Sequence, residues 1–190
     1  TGGSRGIGSG LAIDMAKAGY IPLITYKNDK ESAKKTIKKI RNFSPDSKAY
    51  KLDVAHRENI KEVLYRIIKD YKKLDILINN AGINQRCLFD EITDEDWDLM
   101  FETNLKGPFM LTQECFNIMK RGSRIINISS VAGQYHGPKT VHYAVSKAAL
   151  NSLTKSTARY GAEKGIYVNA IAPGLILTDQ NREEFESGAA

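Results

Sequence analysis

Apolar positions along this chain switch repeatedly between two spacings, and the switching predicts an architecture before any single residue does. Behind a polar, glycine-rich opening, Thr1-Gly2-Gly3-Ser4-Arg5-Gly6-Ile7-Gly8, the stretch from Leu11 to Ala18 reads as a helix closed by Gly19. Tyr20 to Tyr26 is a β-type run, with Pro22 near its start, where a missing N–H is tolerable. Ala33, Ile37, Ile40 and Phe43 then recur at helical spacing in a lysine-rich segment, and Lys48 to Val54 reads as a short strand. Ile60, Val63, Leu64, Ile67, Ile68 and Tyr71 predict another amphipathic helix, and Leu74 to Ile78 is a buried-type strand ending in Asn79-Asn80-Ala81-Gly82. Thr93 and the acids after it look like an N-cap opening a long helix through Asn104 to Lys120, with a kink expected at Gly107-Pro108. Arg124 to Ile128 is again strand, ending in Ser129-Ser130. A polar loop from Gly133 to Pro138 leads into a helix from Val141 to Ala162, and Tyr167 to Ala172 gives a further strand before Pro173-Gly174.

Alternating strand and helix predicts an α/β fold: a Rossmann-type, doubly wound parallel sheet wrapped on both faces, three layers in all. Both ends carry expectations. The strand that feeds the glycine turn lies mid-sheet in such a fold, yet only Thr1 represents it, so its neighbours are expected to lack ladder partners. Residues 179–190 begin a polar helix with no closing strand behind it. The expectation is a single domain over residues 1–190, lacking its first strand and its closing strand, and part of a longer chain.

The totals refine this picture modestly. With 190 residues, 42% apolar and 26% charged, the chain has the makings of one globular domain, and no apolar run is long enough to span a bilayer. No secretory signal opens it, and Cys87 and Cys115 form neither a disulfide framework nor a metal cluster, which points to a reducing, cytoplasmic setting. The formal charge of +6 comes from lysines interleaved with acids, as in Glu31 to Lys35 and Glu58 to Glu62. That pattern is a solvated basic surface rather than a nucleic-acid stripe, and it leaves room for attraction of phosphorylated cofactors or acidic carrier proteins.

The candidate chemistry begins at the glycine turn, where Gly2, Gly6 and Gly8 let backbone N–H groups approach a pyrophosphate at the positive end of a helix. A second candidate is Tyr-x-x-x-Lys. Nine tyrosines and 19 lysines in 190 residues predict about one such match by chance, and five occur. Tyr26/Lys30 sits at a strand end, Tyr65/Lys69 in a core stripe, Tyr135/Lys139 in a loop, and Tyr160/Lys164 far along the last helix. Only Tyr143/Lys147 lies 13 residues after a strand-end serine, Ser130, on a helix followed after one strand by Pro-Gly.

Thr1-Gly-x-x-x-Gly-Ile-Gly8, Asp53, Asn79-Asn-Ala-Gly82, Asn104, Ser130, Tyr143-x-x-x-Lys147 and Pro173-Gly-x-Ile-x-Thr178 together resemble the short-chain dehydrogenase/reductase family over nearly the whole chain. The resemblance implies that Tyr143 protonates a carbonyl oxygen as hydride leaves a nicotinamide, that Lys147 favours the phenolate and holds ribose hydroxyls, that Ser130 binds the substrate carbonyl, and that Asn104 holds a relay water. It implies cofactor contacts at Gly2, Ser4, Arg5, Gly6, Ile7, Gly8, Asp53, Val54, Asn80, Ala81, Gly82, Pro173, Gly174, Ile176 and Thr178. Part of the work of Asn79 and Asn80 in the family is to tie neighbouring strands. The strand end Thr25-Tyr26-Lys27-Asn28 lacks the carboxylate that NAD enzymes of this fold place there, while Arg5 and Lys27 offer cations, so NADP(H) is expected, with Asp29 the nearest acid.

Within the family the chain looks most like 3-oxoacyl-(acyl-carrier-protein) reductases of fatty acid biosynthesis, with Arg121 and Lys164 where those enzymes meet their acidic carrier. The segment Lys139-Thr-Val-His-Tyr143 departs from the Asn-Tyr usual there. His136 and His142 are read as loop and helix-surface histidines. Two alternatives stay open: an NADP-linked dehydrogenase of a sugar, polyol or small ketone, and a non-catalytic dinucleotide sensor. The resemblance also implies a homotetramer paired through Asn104 to Lys120, Val141 to Ala162 and the closing strand.

Overall fold

The computed structural model describes residues 1–135, 137 and 139–178, so His136, Pro138 and the helix expected from Asp179 lie outside the described residues. The chain divides into two compact units, Thr1–Asp53 with the segment from Leu175, and Val54–Gly174.

In the first unit, α1 (Gly6–Lys17) leads to β1 (Leu23–Tyr26), α2 (Lys30–Ile40) and β2 (Lys48–Lys51). The two strands pair in parallel from Leu23↔Lys48 to Tyr26↔Lys51. Ala12 and Ala16 of α1 meet Ile24 of β1 and Ala33, Ile37 and Ile40 of α2 in one buried cluster. The helical stripe of α2 is therefore a core face, except that Phe43 lies beyond the end of the helix and is exposed. The β-type run likewise begins late, because Tyr20 and Ile21 are half-exposed and only Leu23 onward finds a ladder partner.

The second unit contains α3 (Arg57–Tyr71), β3 (Ile76–Asn79), α4 (Asp94–Phe101), α5 (Gly107–Cys115), β4 (Arg124–Ile128), α6 (Val141–Lys164) and β5 (Tyr167–Ile171). Strands β3, β4 and β5 form a parallel sheet in that order. Among the described residues β1 pairs with β2 and β3 with β4, and no ladder joins β1 to β3. Ile125 and Ile128 of β4, Val168 of β5, Leu150 of α6 and Met110, Leu111 and Cys115 of α5 are all buried.

A polar seam crosses this interior. Asn79 donates to Asn127 Oδ1 at 2.8 Å, and Asn127 donates to Thr154 Oγ1 at 2.8 Å, so β3, β4 and α6 are tied by side chains as well as by packing. Each of these donors is buried, and a lost partner would leave it unsatisfied.

The long helix expected through Asn104 is irregular directly before Gly107-Pro108. Thr93 and Asp96 form a reciprocal capping box at the start of α4, as the sequence implies. The helix then widens into a π-turn over Glu102–Lys106 and continues as α5, and Pro108, which lacks an N–H and crowds the carbonyl four residues earlier, lies one turn after Asn104. The extra residue of the π-turn turns Asn104 inward to 0% exposure.

Gly161 shows how tightly α6 meets β5. A Cβ there would lie 2.6 Å from the Ile166 carbonyl oxygen and 3.3 Å from Phe116 Cε1. In an exposed helix interior Gly→Ala is worth about 1 kcal/mol of stabilisation. Here the sign reverses, and Gly161→Ala is expected to cost about 1–3 kcal/mol, measurable as a lowered denaturant midpoint at constant slope.

Candidate active site

The glycine turn is held from two sides within the first unit. The Gly3 N–H donates to the Thr25 carbonyl at 2.9 Å, and the Thr36 hydroxyl donates to the Ser4 carbonyl at 2.9 Å. Since the Thr36 proton is thereby used, Ser9 Oγ donates to Thr36 Oγ1 across 2.9 Å. Gly2 and Gly6 adopt φ values of 62° and 54°, a left-handed backbone that favours glycine. No side chain caps α1 and no acid stands in its first turn, so its leading N–H groups point out as an anion cradle at a helix end, the arrangement a pyrophosphate requires.

A cleft of about 600 Å³ opens beside this turn, lined by Ser4, Arg5, Ile7, Lys35, Ile176 and Thr178 among others. Thr178 Cγ2 lies 3.7 Å from where a Gly6 Cβ would stand, so the structure brings Ile176 and Thr178 to the glycine turn. Gly8 is buried in α1 behind it.

The cations expected to receive a phosphate are engaged with carboxylates. Lys27 Nζ lies 2.7 Å from Asp53 Oδ2, and Arg5 Nη1 lies 3.9 Å from Asp29 Oδ2. Asp29 is also the N-cap of α2, accepting from the Ser32 N–H at 2.9 Å. That hydrogen bond first, and then Arg5 and Lys35, hold its carboxyl below the ordinary carboxylate range. The sequence reading gave Lys27 and Asp53 separate ligand roles; here they pair, because parallel register sets the end of β1 beside the end of β2.

In the second unit, Asn104, Gly82, Ser130, Tyr143 and Lys147 converge. Asn104 Oδ1 accepts from the Ile83 N–H and Asn104 Nδ2 donates to the Ile83 carbonyl, both at 2.9 Å, which fixes the amide's orientation and anchors the loop after β3. A Cβ on Gly82 would stand 3.1 Å from Asn104 Oδ1 and 3.5 Å from Lys147 Nζ, so any larger residue would fill this cradle. Asn80 and Ala81 lie in the same loop. Val54 is buried, and its side chain packs where α5 begins, against Gly107.

Lys147 is 5% exposed and donates to the Ile128 carbonyl at 2.8 Å. Burial lowers its ammonium from the ordinary lysine value to about 8. Tyr143 lies one helical turn earlier, with Lys147 Nζ 5.7 Å from its ring centre. Burial raises the Tyr143 phenol, and a hydrogen bond with Ser130 partly offsets the rise. Ser130 Oγ also accepts from the Ala132 N–H at 3.1 Å. The Val131 N–H donates to the Pro173 carbonyl at 3.0 Å, bringing the Pro173-Gly174 turn beside Ser130.

The competing tyrosines stand apart from this cluster. Tyr65, read as part of a core stripe, is 68% exposed, because the buried face of α3 runs through Ile60, Val63, Leu64 and Ile67 instead. Tyr135 and Tyr160 are exposed as well. His142, read as a helix-surface histidine, is 0% exposed, since α6 packs against α4 along that side. The sequence reading also missed Ser146 and the backbone of Ile83 and Ile128, which hold the cluster's polar groups. For Ser146 a signal existed, its place inside the Tyr-to-Lys turn; backbone acceptors leave none.

A strand-end serine, a tyrosine and a buried lysine one turn apart stand together with an inward asparagine and a glycine cradle, and no group of metal-ligating side chains occurs among the described residues. Burial pushes the Cys115 thiol up to about 12, so it is inert. The profile of the family described as "short chain dehydrogenase" matches residues 1–188. The chain belongs to the short chain dehydrogenase family. It is accordingly an oxidoreductase of the C=O/CH–OH pair. Its sequence is 39% identical over 181 residues to the 3-oxoacyl-[acyl-carrier-protein] reductase FabG of Staphylococcus aureus strain Mu50, covering 94% of this chain and 74% of that protein. Its fold matches a short chain dehydrogenase from Burkholderia cenocepacia J2315 in complex with NADP, with a TM-score of 0.90 and 32% identity, covering 94% of this chain and 73% of that one. The angucycline C-6 ketoreductase LanV with bound NADP matches with a TM-score of 0.86 and 32% identity, over 91% of this chain and 70% of that one.

Proposed function

We propose that this protein uses NADPH to reduce a carbonyl to an alcohol, and that its substrate is a 3-oxoacyl thioester presented on acyl-carrier protein. The observation that carries the reading is the cluster itself: Tyr143 hydrogen-bonded to Ser130, with buried Lys147 over its ring and Gly82 leaving the cradle open. Bound NADPH supplies a hydride to the carbonyl carbon. Ser130 hydrogen-bonds the carbonyl oxygen, and Tyr143 delivers its phenolic proton there. The raised phenol stays protonated at neutral pH, the state a proton donor needs. Lys147 stabilises the phenolate left behind and holds the ribose hydroxyls, and Asn104, whose side-chain amide is taken by Ile83 and Ser146, holds the proton-returning water through its backbone. In the first unit, Gly2, Ser4, Gly6, Ile7 and Gly8 cradle the pyrophosphate, Asp53 meets the adenine amino group, and Arg5 and Lys27 favour a 2′-phosphate by leaving their carboxylates for it. Ile176 and Thr178 hold the nicotinamide amide, and Val54, Asn80, Ala81, Pro173 and Gly174 line the cofactor. NADP in two of the structural neighbours, and the absence of an acid from Thr25 to Asn28, support that choice over NAD.

The carrier is favoured by a basic corner. Arg121 and Lys164 are both exposed, and the Arg121 side chain packs over Gly165, the residue after Lys164. The Gly122 N–H donates to the Gly165 carbonyl at 2.7 Å, which brings together the turns that carry the two cations, and Lys164 Nζ lies 5.5 Å from the Tyr160 ring centre. Reversing both charges, Arg121→Glu with Lys164→Glu, is expected to raise KM for carrier-bound substrate by about tenfold or more and to leave KM for a small thioester unchanged. Steady-state rates with both forms check it. We further propose a cytoplasmic homotetramer paired through α5 and α6, where Phe109, Val145 and Tyr160 are exposed, to be tested by sedimentation.

The function is tested by following NADPH, and separately NADH, against a 3-oxoacyl thioester, a keto sugar and a simple diketone. Fast turnover of the thioester with NADPH is expected. Preference for the sugar or diketone would favour the dehydrogenase alternative. Tight NADPH binding with no turnover of any of them would favour the sensor.

A further inference from the structure

Asn104 offers two amide protons to three acceptors, and the way they divide singles out a residue so far without a role. One proton goes to the Ile83 carbonyl at 2.9 Å, because Asn104 Oδ1 is already committed to the Ile83 N–H. The other faces Ser146 Oγ at 3.2 Å and the Met100 thioether at 3.0 Å, and the hydroxyl oxygen is the stronger acceptor. Ser146 therefore accepts, and its own proton goes to the Tyr143 carbonyl at 2.7 Å. Every direction in this chain is forced, from the Ile83 backbone through Asn104 and Ser146 to the backbone of Tyr143. Ser146 and Asn104 are both 0% exposed, so no water competes for these bonds.

The place where the chain ends makes it consequential. Tyr143 is the third residue of α6, and Thr140 at the N-cap makes no side-chain capping bond. An uncapped first turn is the part of a helix most prone to fraying. It is also the turn that carries Tyr143 and leads to Lys147. Resting on the role proposed above for Tyr143, we infer that Ser146 is a positioning residue, which locks the first turn of α6 to the π-turn asparagine and so holds the Tyr143 phenol at the reacting carbonyl. A hydroxyl bonding back to a carbonyl three residues earlier is common in helices and by itself means little. The second bond, to Asn104 in the π-turn, makes Ser146 a link between elements.

The test compares Ser146→Ala, Ser146→Cys and Tyr143→Phe on whichever carbonyl substrate the parent chain reduces. Ser146→Cys keeps the side chain's size and loses most of its hydrogen bonding, so it separates the hydroxyl from its volume and serves alone if the alanine chain does not fold. Both Ser146 variants are expected to lose about fivefold to tenfold in kcat, with KM for NADPH unchanged. NADPH binding, read by nucleotide fluorescence without turnover, is expected to match the parent. Amide hydrogen exchange over residues 141–147 is expected to quicken, while exchange in the sheet β3-β4-β5 stays as in the parent. A kcat within twofold of the parent in either folded Ser146 variant, or unchanged exchange over residues 141–147, overturns the inference. Persistent turnover by Tyr143→Phe is a different failure, since it removes the underlying mechanism whatever Ser146 does.

Discussion

Tyr143→Phe is expected to lower carbonyl reduction by about a hundredfold to ten-thousandfold and to leave NADPH binding at its parental strength. The substitution removes one oxygen and keeps the ring under Lys147. Ser130 loses the acceptor of its proton, but it is only partly buried and solvent can replace that acceptor. Stability should therefore change by less than about 1 kcal/mol. Loss of the rate with retention of fold and cofactor affinity is the signature of a missing proton donor. A thermal scan and a fluorescence titration beside the rate assay separate these outcomes. A broad loss of all three would mean instead that Tyr143 is a packing residue.

Lys147→Met is expected to abolish reduction and at the same time to stabilise the fold at neutral pH. Burial brings the ammonium from its ordinary 10.5 down to about 8, a difference on the order of 3 kcal/mol against the charged form. Below about pH 8 both folded and unfolded chains carry the proton, so the folded state bears the whole cost there. Between about 8 and 10.5 the unfolded chain still binds the proton that the folded chain has released, and parental stability rises with pH. Methionine fills similar volume without the charge. It also leaves the Ile128 carbonyl without the donor now at 2.8 Å, which reduces the gain to about 1–2 kcal/mol. Denaturant titrations of both proteins at pH 7 and near pH 10 should show an advantage for the variant at the lower pH that shrinks at the higher. The parental rate should fall as pH rises through about 8, where Lys147 loses the charge that stabilises the phenolate.

Much of this was legible in the sequence because period and order survive without coordinates. The helical stripe of α3, the exact limits of β4 and the start of α6 follow from apolar spacing and the residues that interrupt it. Tyr143 could be chosen from five equivalent spacings because its serine, helix and Pro-Gly turn follow one another along the chain. What escaped depends on three dimensions. The π-turn inserts a single residue into a helix and leaves no period to read, so Pro108 signalled an irregularity but not that it would turn Asn104 inward. The Lys27–Asp53 and Arg5–Asp29 pairs depend on strand register and on how a cap side chain turns. The burial of His142 depends on which side of α6 faces α4, and the weakly amphipathic sequence of α6 does not declare it.

Nicotinamide-linked reduction with Tyr143 as the proton donor is followed most directly by an isotopic label. Turnover of a 3-oxoacyl thioester with NADPH deuterated at the transferable nicotinamide position should place one deuterium on the carbinol carbon of each product molecule, with the same assay on Tyr143→Phe giving almost no product. Product formed without deuterium would rule out hydride transfer from the nicotinamide, and equal labelled product from Tyr143→Phe would rule out Tyr143 as the proton donor.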